Sequence, residues 1–133
     1  MLLQPKKLKF KKTRKGKLKK FKHNKNLVYG NIGLKSLESG YITSKQIEAS
    51  RQSINRKIKR SGKIWIRIFP NTPITKKPLE TRMGKGKGSV DHWASKVSGG
   101  TVLFELCGIS HKKAFLALKT GSAKLPIKTS VIY

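Results

Sequence analysis

Acidic residues are the chain's scarcest charged type. Five carboxylates (Glu38, Glu48, Glu80, Asp91 and Glu105) stand against 32 lysines and arginines, a formal net charge of +27 over 133 residues. Self-repulsion on that scale disfavours a compact isolated monomer and calls for a polyanionic partner, whose counterions are released on binding. So few acids also leave catalysis little to stand on: no two carboxylates are paired in the sequence and no Ser–His–acid order can be argued. The single cysteine, Cys107, excludes an internal disulfide and a Cys-rich zinc site. His23, His92 and His111 show no paired ligand spacing, so neither a metal nor a cofactor is expected. No apolar run approaches the roughly 18 residues that span a bilayer. The charge therefore points to nucleic acid rather than to a membrane.

What is present divides into two blocks. Residues 1–26 carry 12 lysines or arginines and no acid. A run of this kind cannot form a core alone and is expected to be disordered in solution. Extended at ~3.3 Å per residue it would reach about 85 Å. A solvated tail and a mitochondrial targeting peptide are the plain alternatives, but targeting peptides are rich in Arg and Ser. This block has one Arg and no Ser, and reads as a nucleic-acid-binding arm. Phe10 and Phe21 would stack on bases or plug into the core.

Residues 27–133 read as one α+β domain, a two-layer sandwich with two helices on one side of a mainly antiparallel sheet. "LVYGNIGLKSL" is a short strand. "YITSKQIEASRQSINRKIKRSGK" is a helix with Thr43 and Gln46 placed as a capping box. Its core stripe is Ile47, Ser50, Ile54 and Ile58, and its C-cap is Gly62. Arg51, Arg56, Lys57, Lys59 and Arg60 fall outside that stripe, as a solvated face or as phosphate contacts. "KIWIRIF" is a strand with both faces used, Ile64, Ile66 and Ile68 pointing one way and Trp65, Arg67 and Phe69 the other. "PITKKPLETRM" reads as an interrupted strand. "SVDHWASKV" and "TVLFELCG" read as a hairpin. The second helix, "SHKKAFLALKTGSAKL", takes Ser110 as N-cap and buries Ala114, Phe115, Leu118 and Leu125; Gly121 weakens it. "IKTSVIY" is a last strand. Asp91 and His92, as strand neighbours, are expected on opposite faces. Cys107 is expected to be buried and inert, and Trp65 and Trp93 to anchor the core or sheet surface.

Between two of these strands lies "TRMGKGKGS", residues 81–89. Its glycines let backbone N–H groups approach an anion, Lys85 and Lys87 add mobile charges, and Arg82 can grip a phosphate. The G-x-x-x-x-G-K-[ST] phosphate loop fails because Gly88 is followed by Ser89 and Val90. The G-x-G-x-x-G fingerprint fails in spacing and in the strand-like sequence that follows. Polyanionic RNA is the better ligand.

"GKIWIRIFPNTPITKKPLETRMGKGKG" closely resembles the signature region of the universal large-subunit ribosomal protein family called L sixteen in bacterial naming. "LQPKKLKFKK", "ITSKQIEASR" and "AKLPIKTS" resemble that family's start, first helix and C-terminal end. The resemblance implies a structural, non-enzymatic constituent of the large ribosomal subunit. It implies binding to large-subunit rRNA near the central protuberance, with a role in tRNA positioning at the aminoacyl-tRNA site and in late subunit assembly. The family's protruding loop corresponds to Arg82, Met83, Gly84, Lys85, Gly86, Lys87 and Gly88, pointing to the tRNA cleft. In bacterial members the arginine matching Arg82 can be hydroxylated. Candidate rRNA contacts are Lys6, Lys7, Lys9, Lys11, Lys12, Arg14 and Lys15 of the arm, the five helix cations, and Lys63 and Arg67. The implied partners are rRNA, tRNA and neighbouring large-subunit proteins, with no membrane and no homo-oligomer. Lysine outnumbers arginine 26 to 6, and "KVSGGTVLFELCGIS" looks like mitochondrial members. A mitochondrial ribosome is therefore expected, ahead of a plastid one or the bacterial cytoplasm. The family-like start leaves no room for a presequence. The competing reading is a non-ribosomal basic nucleic-acid-binding protein.

Overall fold

The computed structural model describes residues 3–18 and 26–133. The elements in order are β1 (Ile32–Ser36), β2 (Gly40–Thr43), α1 (Ser44–Lys57), β3 (Lys63–Ile66), β4 (Thr72–Lys76), β5 (Ser89–Val97), β6 (Val102–Cys107), α2 (His111–Ser122) and β7 (Thr129–Ile132). The α+β reading holds, with one refinement: the strands form two sheets, not one. A four-stranded sheet runs β3-β6-β1-β7 and a three-stranded sheet runs β2-β5-β4. Every pairing in both is antiparallel. The helices pack on each other; α2 touches β1 and β7, and α1 touches β2, β3 and β5.

The expected β5–β6 hairpin does not form. β5 pairs with β2 and β4, whereas β6 pairs with β1 and β3. The connection is held by the end of β1 instead. The buried Ser36 hydroxyl donates to the carbonyl of Ser98 at 2.8 Å, and the Gly100 N–H donates to the Ser36 carbonyl at 2.7 Å. A turn whose polar groups are satisfied by a third strand has no need of a ladder between its own flanks. The real hairpin is β4–β5, and the glycine–lysine segment is its long connection.

α1 begins as its sequence dictates. Thr43 caps it, accepting from the Gln46 N–H at 3.3 Å, while the Gln46 side chain accepts from the Thr43 N–H at 2.9 Å. Ile47, Ser50, Ile54 and Ile58 are all buried. The helix stops earlier than expected: the C-cap is Ile58, and Gly62 lies beyond a turn in which Lys59 and Arg60 take φ of 54° and 62°.

α2 presents a different face from the one expected. Ala114, Ala117, Leu118 and Gly121 are buried, Phe115 is exposed and Leu125 is partly buried. Small residues win because α1 comes close: a Cβ at Gly121 would sit 2.5 Å from Ile54 Cγ1. The Ser50 hydroxyl also donates to the Gly121 carbonyl at 2.9 Å. Gly121 is thus a contact point rather than a weakness. Ser110 occupies the N-cap position but makes no side-chain capping bond.

Residues 3–18 of the arm form no helix or strand, yet they follow the domain. Leu3 enters the core, and Tyr41 Oη donates to the Lys15 carbonyl at 2.8 Å. Phe10 is exposed rather than plugged in, with the Lys9 ammonium 5.7 Å from its ring centroid. Phe21 and His23 lie outside the described residues.

Candidate nucleic-acid interface

The β4–β5 connection stands clear of the domain. Residues 78–87 are all exposed, Met83 at 99%. Gly84, Lys85 and Gly86 take φ of 96°, 53° and 79°. Such left-handed backbone is cheap for glycine and costly for other residues, which accounts for glycine on both sides of Lys85. At the loop's base an added Cβ on Gly88 would lie 2.5 Å from the Lys76 carbonyl oxygen, so the chain re-enters tight against β4. Arg82 and Lys85 are solvent-facing and can reach an anion.

Lysines tie the loop together from inside. Lys77 Nζ donates to the Gly84 carbonyl. Lys12 Nζ donates to the Lys87 carbonyl at 3.1 Å, and Lys87 Nζ donates to the Thr13 carbonyl. Arm and loop thus exchange ammonium–carbonyl bonds, a link that sequence spacing gives no way to foresee. The remaining arm candidates, Lys6, Lys7, Lys9, Lys11, Arg14 and Lys15, are exposed along the same strap.

The second basic surface is the end of α1. Arg56, Lys59 and Arg60, with Gln52 and Asn55, line an open cleft of about 410 Å³. Lys57 is exposed beside them and Lys63 opens β3. Among the described residues, no ion pair joins Arg56, Lys57, Lys59, Arg60 or Lys63 to an acid. Their charges are available to an outside anion.

Two candidate contacts are engaged internally. Arg51 forms a two-pronged contact with Glu48, at 2.9 and 2.6 Å. That hydrogen bond holds the Glu48 carboxyl at about 2, against its usual 4.5. Arg67 pairs with Glu105, whose side chain is wholly buried. Burial pushes the Glu105 pKa up, but the N–H groups of Tyr29, Gly30 and Val28, with Arg67, outweigh it and hold the group below its ordinary value. A lone acid inside the apolar stretch "VLFELC" was the sequence signal for this arrangement: a carboxylate there must be paired and hydrogen-bonded.

Two smaller expectations are corrected. Asp91 and His92 meet, with Oδ2 and Nδ1 2.8 Å apart. The β4–β5 register passes from Ile74↔His92 to Thr75↔Val90, which leaves Asp91 as the extra residue of a bulge and turns it toward its neighbour. Cys107 is partly exposed at the end of β6 rather than buried. Among the described residues no group of three or more His, Cys, Asp or Glu could hold a metal, and no helix is long and apolar enough to cross a membrane.

The whole sequence matches known proteins closely. It is 52% identical over 132 residues to the large ribosomal subunit protein uL16 of Blochmanniella pennsylvanica (strain BPEN), covering 99% of this chain and 98% of that one. It is 54% identical over 132 residues to uL16 of Psychrobacter cryohalolentis, covering 98% and 96%. Against uL16 of Borrelia hermsii the identity is 50% over 132 residues, with the same coverage. The family model described as ribosomal protein L16p/L10e matches residues 5–132. The match spans the arm from residue 5, the loop and both sheets, and the chain belongs to the ribosomal protein L16p/L10e family.

Proposed function

We propose that this chain is a structural, non-enzymatic constituent of the large ribosomal subunit, binding large-subunit rRNA near the central protuberance. Its arm and the end of α1 clamp rRNA phosphates, and the loop from Arg82 to Gly88 supports tRNA positioning at the aminoacyl-tRNA site and late subunit assembly. The observation that carries this reading is the loop. It is cationic, exposed over residues 78–87, shaped by three consecutive positive φ angles and anchored to the arm. The phosphate set narrows to the arm lysines with Arg14, and to Arg56, Lys57, Lys59, Arg60 and Lys63; Arg51 and Arg67 serve the fold through their ion pairs. Lysine's 26-to-6 excess over arginine supports a mitochondrial ribosome, although the relatives compared are bacterial.

Sedimentation of native lysate through sucrose at rising salt, tracking this chain, tests the proposal. Retention on the large subunit after loosely held basic proteins wash off is the expected result. Early release, or sedimentation elsewhere, would leave charge alone as the explanation and favour a non-ribosomal nucleic-acid-binding protein. Recovery from mitochondrial rather than cytosolic or plastid particles tests the compartment.

A further inference from the structure

The root of the arm carries an aromatic surface that neither the loop nor the α1 cleft uses. Its backbone is fixed from below. The N–H groups of Val28, Tyr29 and Gly30 donate to one oxygen of the buried Glu105 carboxylate, at 3.2, 2.6 and 2.9 Å. The Tyr29 ring then lies against Trp65, with centroids 6.0 Å apart and planes 19° from parallel. The Arg67 guanidinium carbon is 5.0 Å from the Tyr29 centroid, and the Lys63 ammonium is 5.4 Å from that of Trp65. Lys63 and Trp65 alternate along β3 and so share one of its faces, and Arg67 follows just past its end, its N–H bonded to the Leu103 carbonyl. Tyr29 covers that face, yet it is 58% exposed. A ring packed on one side and this accessible offers its other side to solvent.

We propose that Tyr29, backed by Trp65, is a stacking platform for an unpaired nucleobase of rRNA, with Lys63 placed for the adjoining phosphate. The inference rests on the rRNA reading above and deepens it by naming the ligand at a site outside the loop. Every base has a π-face, and single-stranded RNA is held by aromatic rings and arginine planes in this way. Pre-organisation favours it, because the Glu105 carboxylate already holds the Tyr29 backbone and little is left to order on binding. Charge favours RNA over a basic or apolar protein surface: the acid in this cluster is buried at 0% exposure, while Lys63 is exposed.

The test uses the full chain and a labelled adenosine hexaribonucleotide, with binding followed by anisotropy over a range of salt. Tyr29→Leu keeps the backbone bonds to Glu105 and is expected to weaken binding about tenfold, with the salt slope unchanged; Tyr29→Phe is expected to bind as wild type. Wild-type affinity for Tyr29→Leu, equal losses in both variants, or a changed slope would overturn the platform. In purified large subunits, a photo-crosslink from a probe at position 29 is expected on an rRNA base; a crosslink to a neighbouring protein would overturn it. A chain that never enters the subunit would sink the ribosomal reading, while the hexanucleotide still decides the platform.

Discussion

At Gly121, in the seam between α1 and α2, an added Cβ would come within 2.5 Å of Ile54; at Gly84, in the loop before β5, it would meet nothing within 4 Å. The first glycine is there because space is absent, the second because its backbone takes a φ of 96°. The same contrast separates the two kinds of charged site. Glu105 is wholly buried and Arg67 pairs with it, so both serve the fold. Arg82 and Lys85 face solvent, where losing them changes only what the surface can hold. A fold with few acids commits one of its five to fixing the arm root, and leaves the loop cations Arg82 and Lys85 to a partner.

The widest separation of these regions should come from Glu105. Glu105→Ala leaves three N–H groups and a guanidinium without their acceptor and is expected to cost about 3 kcal/mol in urea unfolding. A cost below about 1 kcal/mol would mean water satisfies the arm root and the clamp is not structural. Acid should reveal the same site. Glu105 and Glu48 both have folded pKa values below the ordinary 4.5, so the unfolded chain takes up protons first. Their contribution is present above pH 4.5 and is lost as pH falls below it, toward about 2 for Glu48. In Glu105→Gln that loss should shrink, leaving only the Glu48–Arg51 share.

Next in size is the helix seam. Gly121→Val is expected to cost about 2 kcal/mol through overpacking, against the usual gain from replacing a helical glycine. An unchanged midpoint would show that Ile54 can move aside. Thr43→Ala, which removes one half of the capping box, should cost about 1 kcal/mol. Smallest of all is the loop. Arg82→Ala with Lys85→Ala should shift stability by less than about 0.5 kcal/mol while impairing subunit maturation or tRNA binding. A large loss of stability there would erase the distinction between the two regions.

Local rules explain which parts were legible in the sequence. The capping box, the Ile47–Ile54 stripe and the strand at Ser89–Val97 depend on neighbours within a few residues, and they appear where periodicity places them. The hairpin expectation fails because adjacency in sequence is not adjacency in a sheet, and Ser36, some 60 residues away, decides otherwise. The apolar pattern puts Phe115 on the buried side of α2, but the close approach of α1 selects Ala117 and Gly121. Within the candidate site, the loop's charge and glycine spacing were plain, whereas its tether to Lys12 and Thr13 was not.

By itself the sequence determined the need for a polyanion, the helix starts, the loop's chemistry and the family, because composition, short-range periodicity and motif order are properties of the chain alone. Only the tertiary structure decided that the strands split into two sheets, that Arg67 pairs with the buried Glu105, and that Tyr29 lies over Trp65. Those outcomes depend on which distant groups satisfy each buried donor and acceptor, and that is settled only when the chain has packed.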